Sequence, residues 1–122
     1  MNTEEAKNII QNNFDCKENS FVYFLHEKNC FSIEQFWYFY DSIATLRNVE
    51  EKTTDLTKQI THCYEYMLKC FVFHLDPNDG YEMQDFPNNY NDYLDRLDYI
   101  LTAYHNSITD LLDDSVFELQ RT

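Results

Sequence analysis

The sequence is short of glycine and proline. Its 122 residues contain one glycine and two prolines, and all three lie between Pro77 and Pro87. Turns and tight hairpins depend on these residues, so their scarcity elsewhere favours helices over a sheet built from hairpins. A single glycine also excludes most of the glycine-rich loops that cradle nucleotide phosphates.

Sequence motifs of catalysis are missing as well. Neither a GxSxG elbow nor an HExxH zinc motif occurs. Cys63 has His62 and His105 as candidate partners, but adjacent residues on a helix point apart and no nearby feature lowers the thiol pKa. The many carboxylate pairs lack an apolar pocket that would separate their pKa values. We therefore predict that the chain is not an enzyme.

Long apolar segments are absent too. No run approaches the length of a membrane-spanning helix, and Met1–Asn13 carries Glu4 and Glu5 where a signal peptide has an apolar core. We therefore expect a cytoplasmic protein whose cysteines are reduced thiols, mostly buried. The cysteines are Cys16, Cys30, Cys63 and Cys70.

Positive charge is scarce and unevenly placed. The formal net charge is −13; residues 1–75 hold eleven acids and seven bases (−4), and residues 76–122 hold eleven acids and two bases (−9). One side of the molecule is therefore expected to be strongly negative. Nucleic acids and anionic membranes need a basic footprint, so both are disfavoured as direct partners. A cationic protein is the complementary partner.

The chain contains enough apolar residues for one core. A hydrophobic content of 43% distinguishes it from a disordered acidic tail, which lacks aromatic and aliphatic residues. A length of 122 residues suits one core and is short of two. Because no internal repeat, low-complexity tract or linker interrupts the sequence, we predict a single helical domain over residues 1–122.

Capping residues and helical periodicity predict two helices in the first quarter of the chain. Thr3 is the candidate cap of a helix that runs to about Asn13. Asn19 or Ser20 is the candidate cap of a second helix that begins with an aromatic run. Two short aromatic runs leave a strand open as an alternative to helix. They are Phe21–Leu25 and Cys70–His74.

Two longer helices follow. Ser32 with Gln35 forms a capping box at the start of a third helix. Its apolar stripe consists of Ile33, Phe36, Trp37, Tyr40, Ile43, Ala44 and the stem of Arg47. Thr53 or Thr54 begins a fourth helix, which should end before Pro77 because the residue preceding a proline avoids helical angles. Its stripe consists of Leu56, Ile60, Cys63, Tyr64, Met67, Phe71 and Leu75.

The last segment predicts one further long helix. After a turn at Asp76–Gly80, the helix starts near Pro87–Asn89 and meets no glycine or proline before the chain ends. Its apolar seam, spaced alternately by four and three, comprises Tyr90, Leu94, Leu97, Leu101, Tyr104, Ile108 and Leu111. Asp113 or Asp114 is expected to start a short final turn. The predicted fold is an all-α antiparallel bundle of four to five helices.

Carboxylates and aromatic residues alternate in the last third. Residues 76–118 hold eleven carboxylates and seven aromatic residues against one cation, Arg96. Asp92, Asp95 and Asp98 lie near one another at helical spacing, so they repel and gain nothing locally. Tyrosine adds rigid contact area at low entropic cost, which favours a docking surface over a merely solvated face. The predicted partner-binding residues are Tyr81, Glu82, Asp85, Phe86, Tyr90, Asp92, Tyr93, Asp95 and Asp98.

Metal sites are the sharpest alternative to this surface. His26 and Cys30 are four residues apart, as are Cys70 and His74, so two helical faces could supply a tetrahedral zinc site. Neither pair has the tight CxxC spacing of a typical structural site. The Asp76–Gly80 segment places its glycine one position early for an EF-hand loop. We predict no metal and no cofactor.

A small, acidic, aromatic-rich helical chain resembles the immunity proteins that bacteria pair with secreted or contact-delivered toxins, including those of contact-dependent inhibition systems. The resemblance lies in overall character and in no motif. It implies an antitoxin, monomeric or weakly dimeric, that occludes the basic active site of a toxin nuclease domain. Two other classes stay open: a DNA-mimicking inhibitor of a defence nuclease, and a helical adaptor or oligomerisation module that binds through the apolar seam.

Overall fold

Helices account for most of the computed structural model, which describes residues 1–121. Five α-helices are present, and the predicted all-α bundle is confirmed. They are α1 (Thr3–Phe14), α2 (Phe21–Glu27), α3 (Ile33–Leu46), α4 (Thr54–Leu75) and α5 (Tyr90–His105). A short 3₁₀ helix, Asp114–Val116, follows α5. The only β-type pairing within residues 1–121 is an isolated bridge between Cys30 and Gln84.

Side-chain caps begin four of the five helices. Ser20, Ser32 and Thr53 each accept a hydrogen bond from the backbone N–H three residues later, which confirms these predicted starts. The predicted cap Thr3 is wrong, because Asn2 holds that position and its side chain accepts from Glu5 N–H at 2.8 Å. The strand alternatives for residues 21–25 and 70–74 are also wrong, since both runs are helical.

Three helices are followed by residues with left-handed backbone angles that are not glycines. Cys16, Asn29 and Ser107 have φ values of 54°, 47° and 52°. After α5, Ile108 N–H turns back to donate to Ala103 O at 3.0 Å, as in a Schellman motif. This motif ends α5 at His105, so the prediction that the helix continues through Ile108 and Leu111 is wrong.

Paired side chains show how the long helices run. Phe71 near the end of α4 contacts Tyr90 at the start of α5, with ring centroids 6.2 Å apart. Thr57 near the start of α4 lies within 2.9 Å of the hydroxyl of Tyr104 near the end of α5. The helices α4 and α5 therefore run antiparallel.

The helices α3 and α5 are neighbours that run in the same direction. Phe36 in the first turn of α3 meets Tyr93 in the first turn of α5, with ring centroids 4.9 Å apart. At the other end, Arg47 Nε donates to Ile108 O at 2.9 Å. The helices α3 and α5 therefore lie side by side and parallel.

Aromatic rings fill the centre of the bundle. The largest fully buried rings are Phe21, Phe31, Phe36, Phe39 and Tyr104. The predicted stripe residues Ile33 and Leu75 are both 50% exposed, which corrects their assignment to the core. They are the first residue of α3 and the last residue of α4, where a helix leaves the bundle.

The four cysteines are free thiols, and half of them are fully buried. Cys63 and Cys70 lie in the core, whereas Cys16 and Cys30 are half-buried. Burial raises the pKa of the Cys63 thiol to about 12. The thiol is therefore protonated at neutral pH and is a poor nucleophile.

Candidate functional site: the acidic face of α5 and the adjoining strap

The predicted aspartates of α5 lie on its outward side. Asp95 and Asp98 are exposed and Asp92 is half-buried, whereas Tyr93 and Arg96 between them are buried. At about 100° per residue, positions three apart step by about 60° around the helix. The three carboxylates therefore fan over roughly 120° of the surface instead of forming one straight row.

None of the predicted acidic site residues is neutralised within residues 1–121. The ion pairs there are Arg96–Asp114 and Arg121–Asp41, and a ring nitrogen of His26 also lies 3.6 Å from the Glu27 carboxylate. The predicted acids outside these pairs are Glu82, Asp85, Asp92, Asp95 and Asp98. No lysine of the first half forms an ion pair with the carboxylates of α5 within residues 1–121, so the repulsion between them is not compensated there by an ion pair.

Arg96, the single cation among these acids, does not belong to the acidic face. Arg96 is 3% exposed, and its guanidinium forms an ion pair with Asp114 at 2.7 Å. It also donates to Leu119 O at 2.9 Å and lies 4.1 Å from the centre of the Phe117 ring. The guanidinium therefore has its ion-pair partner inside the protein, and it also lines the groove that Asp92 and Asp95 border.

The chain after α5 forms an irregular strap, residues 107–121, that the arginines hold against the bundle. Arg47 donates to the backbone carbonyls of Ile108 and Thr109, both at 2.9 Å. Arg96 holds the middle of the strap, and Arg121 within it pairs with Asp41 of α3. All three arginines of the chain thus serve this attachment.

A groove of about 170 Å³ separates α5 from the strap. Its acidic lining consists of Asp92 and Asp95 from the helix and Glu118 from the strap. Phe117 and Leu119 supply apolar surface beside these carboxylates. Glu118 was not among the predicted site residues, because only the folded strap brings it to α5.

The aromatic half of the predicted surface is largely used for packing. Tyr93 is 5% exposed, and its ring meets those of Phe31 and Phe36 at 5.0 and 4.9 Å. Its assignment to a partner surface is therefore corrected to the core. Tyr81 is half-buried and its hydroxyl donates to Leu25 O at 2.8 Å.

Phe86 and Tyr90 are half-buried at the junction of the preceding loop with α5. Their ring centroids are 5.1 Å apart, and the Phe86 ring lies 4.3 Å from that of His74. Both predicted site residues therefore pack partly against other rings of the protein and are neither fully buried nor fully exposed.

Glu82 and Asp85 are exposed in the loop between α4 and α5. The loop is tied to the link between α2 and α3, where Phe31 N–H donates to Gln84 O at 2.9 Å. The Asp85 carboxylate accepts from Cys30 Sγ at 3.7 Å. Neither acid lines the α5 groove, so the structure divides the predicted carboxylates between a loop and a helix face.

The zinc alternative is not assembled in the part of the chain that the structure describes. His26 Nδ1 lies 2.9 Å from Tyr66 Oη, and His74 Nδ1 accepts from Met83 N–H at 2.9 Å. Within residues 1–121, no three His, Cys, Asp or Glu side chains come together as metal ligands would. Neither histidine therefore joins the nearby cysteine in a common site.

No protein-family model, curated protein or solved structure matches the chain. Within residues 1–121, no helix combines the length and the apolar character that a membrane span requires.

Proposed function

We propose that this chain is an acidic binding protein that neutralises a basic protein, a toxin nuclease domain, by occluding its active site. The observation that carries the proposal is the exposed face of α5, where Asp92, Asp95 and Asp98 have no ion-pair partner within residues 1–121. The neighbouring cation Arg96 is buried in an internal pair.

Like charges held together on a rigid helix raise the free energy of the unbound protein. A cationic partner relieves that repulsion on contact, and the long-range field steers its approach. Electrostatic attraction of this kind mainly raises the association rate and makes it sensitive to salt. The acidic face is therefore suited to fast capture of a basic protein.

The groove beside α5 supplies contacts that a plain acidic surface lacks. Lysine and arginine have an aliphatic stem and a charged head, so they pack well where apolar and acidic groups alternate. Phe117 and Leu119 would contact the stem, and Asp92, Asp95 and Glu118 would pair with the head. A nuclease active site offers such side chains, because it must hold nucleic acid phosphates.

Capture from a lysate of the host organism tests the proposal. The wild-type protein is immobilised beside a variant in which Asp92, Asp95 and Asp98 are replaced by lysine. We expect the wild type to retain a basic protein at low salt and to release it at high salt, and the variant to retain none. Addition of the wild-type protein should then inhibit nuclease activity of the captured protein.

A second triple variant controls for net charge. Glu18, Glu50 and Glu65 are exposed and have no ion-pair partner within residues 1–121, so Lys at these positions changes the total charge equally. This control should retain the partner as the wild type does. Equal retention by the two triple variants, or capture of an acidic protein, would contradict the proposal.

A further inference from the structure

Arg121 lies in a site on α3 that recognises its guanidinium group in two ways. Its two terminal nitrogens pair with the two carboxylate oxygens of Asp41, at 2.9 and 2.8 Å. The guanidinium carbon lies 4.3 Å from the centre of the Trp37 ring. Two-pronged pairing combined with stacking on an aromatic face is specific to arginine, because the lysine ammonium is a compact point charge.

Arg121 is the cation that pairs with Asp41 in this site. Arg96 lies 5.0 Å from the centre of the Trp37 ring and is paired with Asp114. Asp41 is the carboxylate that remains for Arg121. When Arg121 leaves, the site holds an unpaired carboxylate beside an aromatic ring, and this arrangement favours a second guanidinium in its place.

The site is open to a partner. Its side chains remain accessible, since those of Arg121 and Asp41 are 38% and 37% exposed. An adjoining groove of about 220 Å³ is lined by Glu34, Trp37, Tyr38 and Asp41. Because both side chains are accessible to solvent, another guanidinium can reach Asp41 and compete with Arg121 for the site.

We infer that Trp37, Tyr38 and Asp41 form a binding site for an arginine side chain of the partner, and that Arg121 fills this site in the unbound protein. That this arginine belongs to a partner protein rests on the proposed function, in which the partner is a basic protein. A tethered group acts at an effective concentration in the millimolar range. Arg121 therefore raises the apparent Kd for a second arginine side chain without preventing its binding.

Trp37 fluorescence tests the inference directly, because Trp37 is the only tryptophan in the chain. The probe is N-acetyl-arginine amide, titrated into the wild type and into Arg121→Gln, with N-acetyl-lysine amide in parallel. We expect a saturable change in Arg121→Gln with an apparent Kd at least about threefold lower than in the wild type. The lysine probe should bind more weakly to both proteins.

Matched variants make the outcome decisive. Lys58→Gln removes one exposed positive charge outside the site, and it should titrate like the wild type. Asp41→Asn combined with Arg121→Gln should abolish saturation, while Glu65→Gln combined with Arg121→Gln should preserve it. The inference is overturned if Arg121→Gln titrates like the wild type, or if the Asp41→Asn double variant still saturates.

This titration uses a small probe and no partner, so its result is separate from that of the capture experiment. Saturable arginine binding without capture would contradict the proposed function and leave the arginine site standing. Capture by the acidic face without arginine binding in Arg121→Gln would overturn the site and leave the proposed function standing.

Discussion

The two parts of the chain place their positive charge in opposite ways. Residues 1–75 and residues 76–122 each hold eleven acids, but the first part has seven bases and the second has two. All six lysines lie in the first part; five of them are exposed, and none forms an ion pair within residues 1–121. Of the two arginines in the second part, Arg96 is paired with Asp114 inside the protein and Arg121 is paired with Asp41 on α3.

This difference shows that net charge alone understates the polarity of the surface. Exposed lysines add positive charge to the surface beside nearby acids, whereas the charge of Arg96 is committed to its ion pair with Asp114. Arg96 pairs with Asp114 and holds the strap, so neither Asp92 nor Asp95 has an ion-pair partner within residues 1–121, although Arg96 lines the same groove. The position of the arginines, and not only their scarcity, creates the acidic face.

The largest expected effect comes from removing the buried cation. Arg96→Ala leaves Asp114 unpaired and a cavity against Phe117, so the free energy of unfolding should fall by about 3 kcal/mol. Urea unfolding followed by circular dichroism measures this loss. Lys58→Ala, which removes an exposed cation, should change stability by less than about 0.5 kcal/mol. Equal losses of stability in the two variants would contradict the difference drawn between the buried arginine and the exposed lysines.

A smaller effect should appear when the strap is acidified. Partial burial raises the pKa of Asp114, but hydrogen bonds from Arg121 N–H and the Arg96 guanidinium outweigh it and hold the pKa below its usual range. A carboxyl with a lowered folded pKa stabilises the strap above its unfolded pKa of about 3.9. That contribution is lost as the pH falls through the folded pKa.

Trp37 fluorescence between pH 5 and pH 2, about the acid range in which this carboxyl titrates, measures the release of the strap. The side chain of Asp114 is 40% exposed, so the stabilisation of the strap that is lost should be at most about 1 kcal/mol. We expect a transition in the wild type before the helices unfold, and a smaller one in Asp114→Asn, where the Asp41 carboxylate that holds Arg121 over Trp37 is still present. A transition of the same size in Asp114→Asn would show that another group controls the strap.

The smallest effect concerns backbone strain in the first part. Asn29 is exposed, has a φ of 47° and follows α2. Glycine adopts this left-handed conformation at no steric cost, so Asn29→Gly should stabilise the protein by a few tenths of a kcal/mol, up to about 0.5. A precise comparison of urea midpoints measures it. Asn8→Gly, within α1, is the contrasting control and should destabilise by roughly 0.5–1 kcal/mol.

Local signals predicted most of the helical framework. Ser20, Ser32 and Thr53 bond to backbone amides within one turn, so their role is visible in the sequence. The end of α5 was missed because Ser107 takes the left-handed position that glycine usually marks. The scarcity of glycine correctly favoured helices. It also left the sequence without the residue that usually marks the end of a helix.

Long-range pairs explain why the candidate site was predicted only in part. Arg47 and Ile108 are 61 positions apart, and Arg121 and Asp41 are 80 positions apart, so no local pattern connects them. The exposed aspartates of α5 followed from helical spacing. The burial of Tyr93 did not, because a tyrosine between two aspartates fits either the core or a contact surface.

The association rate of the captured basic partner tests the central claim most directly. It should be measured by stopped flow at about 0.05 M and 0.5 M salt, since exposed charges are screened over this range. We predict that the wild type associates quickly at low salt and at least about tenfold more slowly at high salt. The control variant with Lys at residues 18, 50 and 65 should behave in the same way. The variant with Lys at residues 92, 95 and 98 should be slow in both. Rates for that variant equal to those of the control would contradict the account.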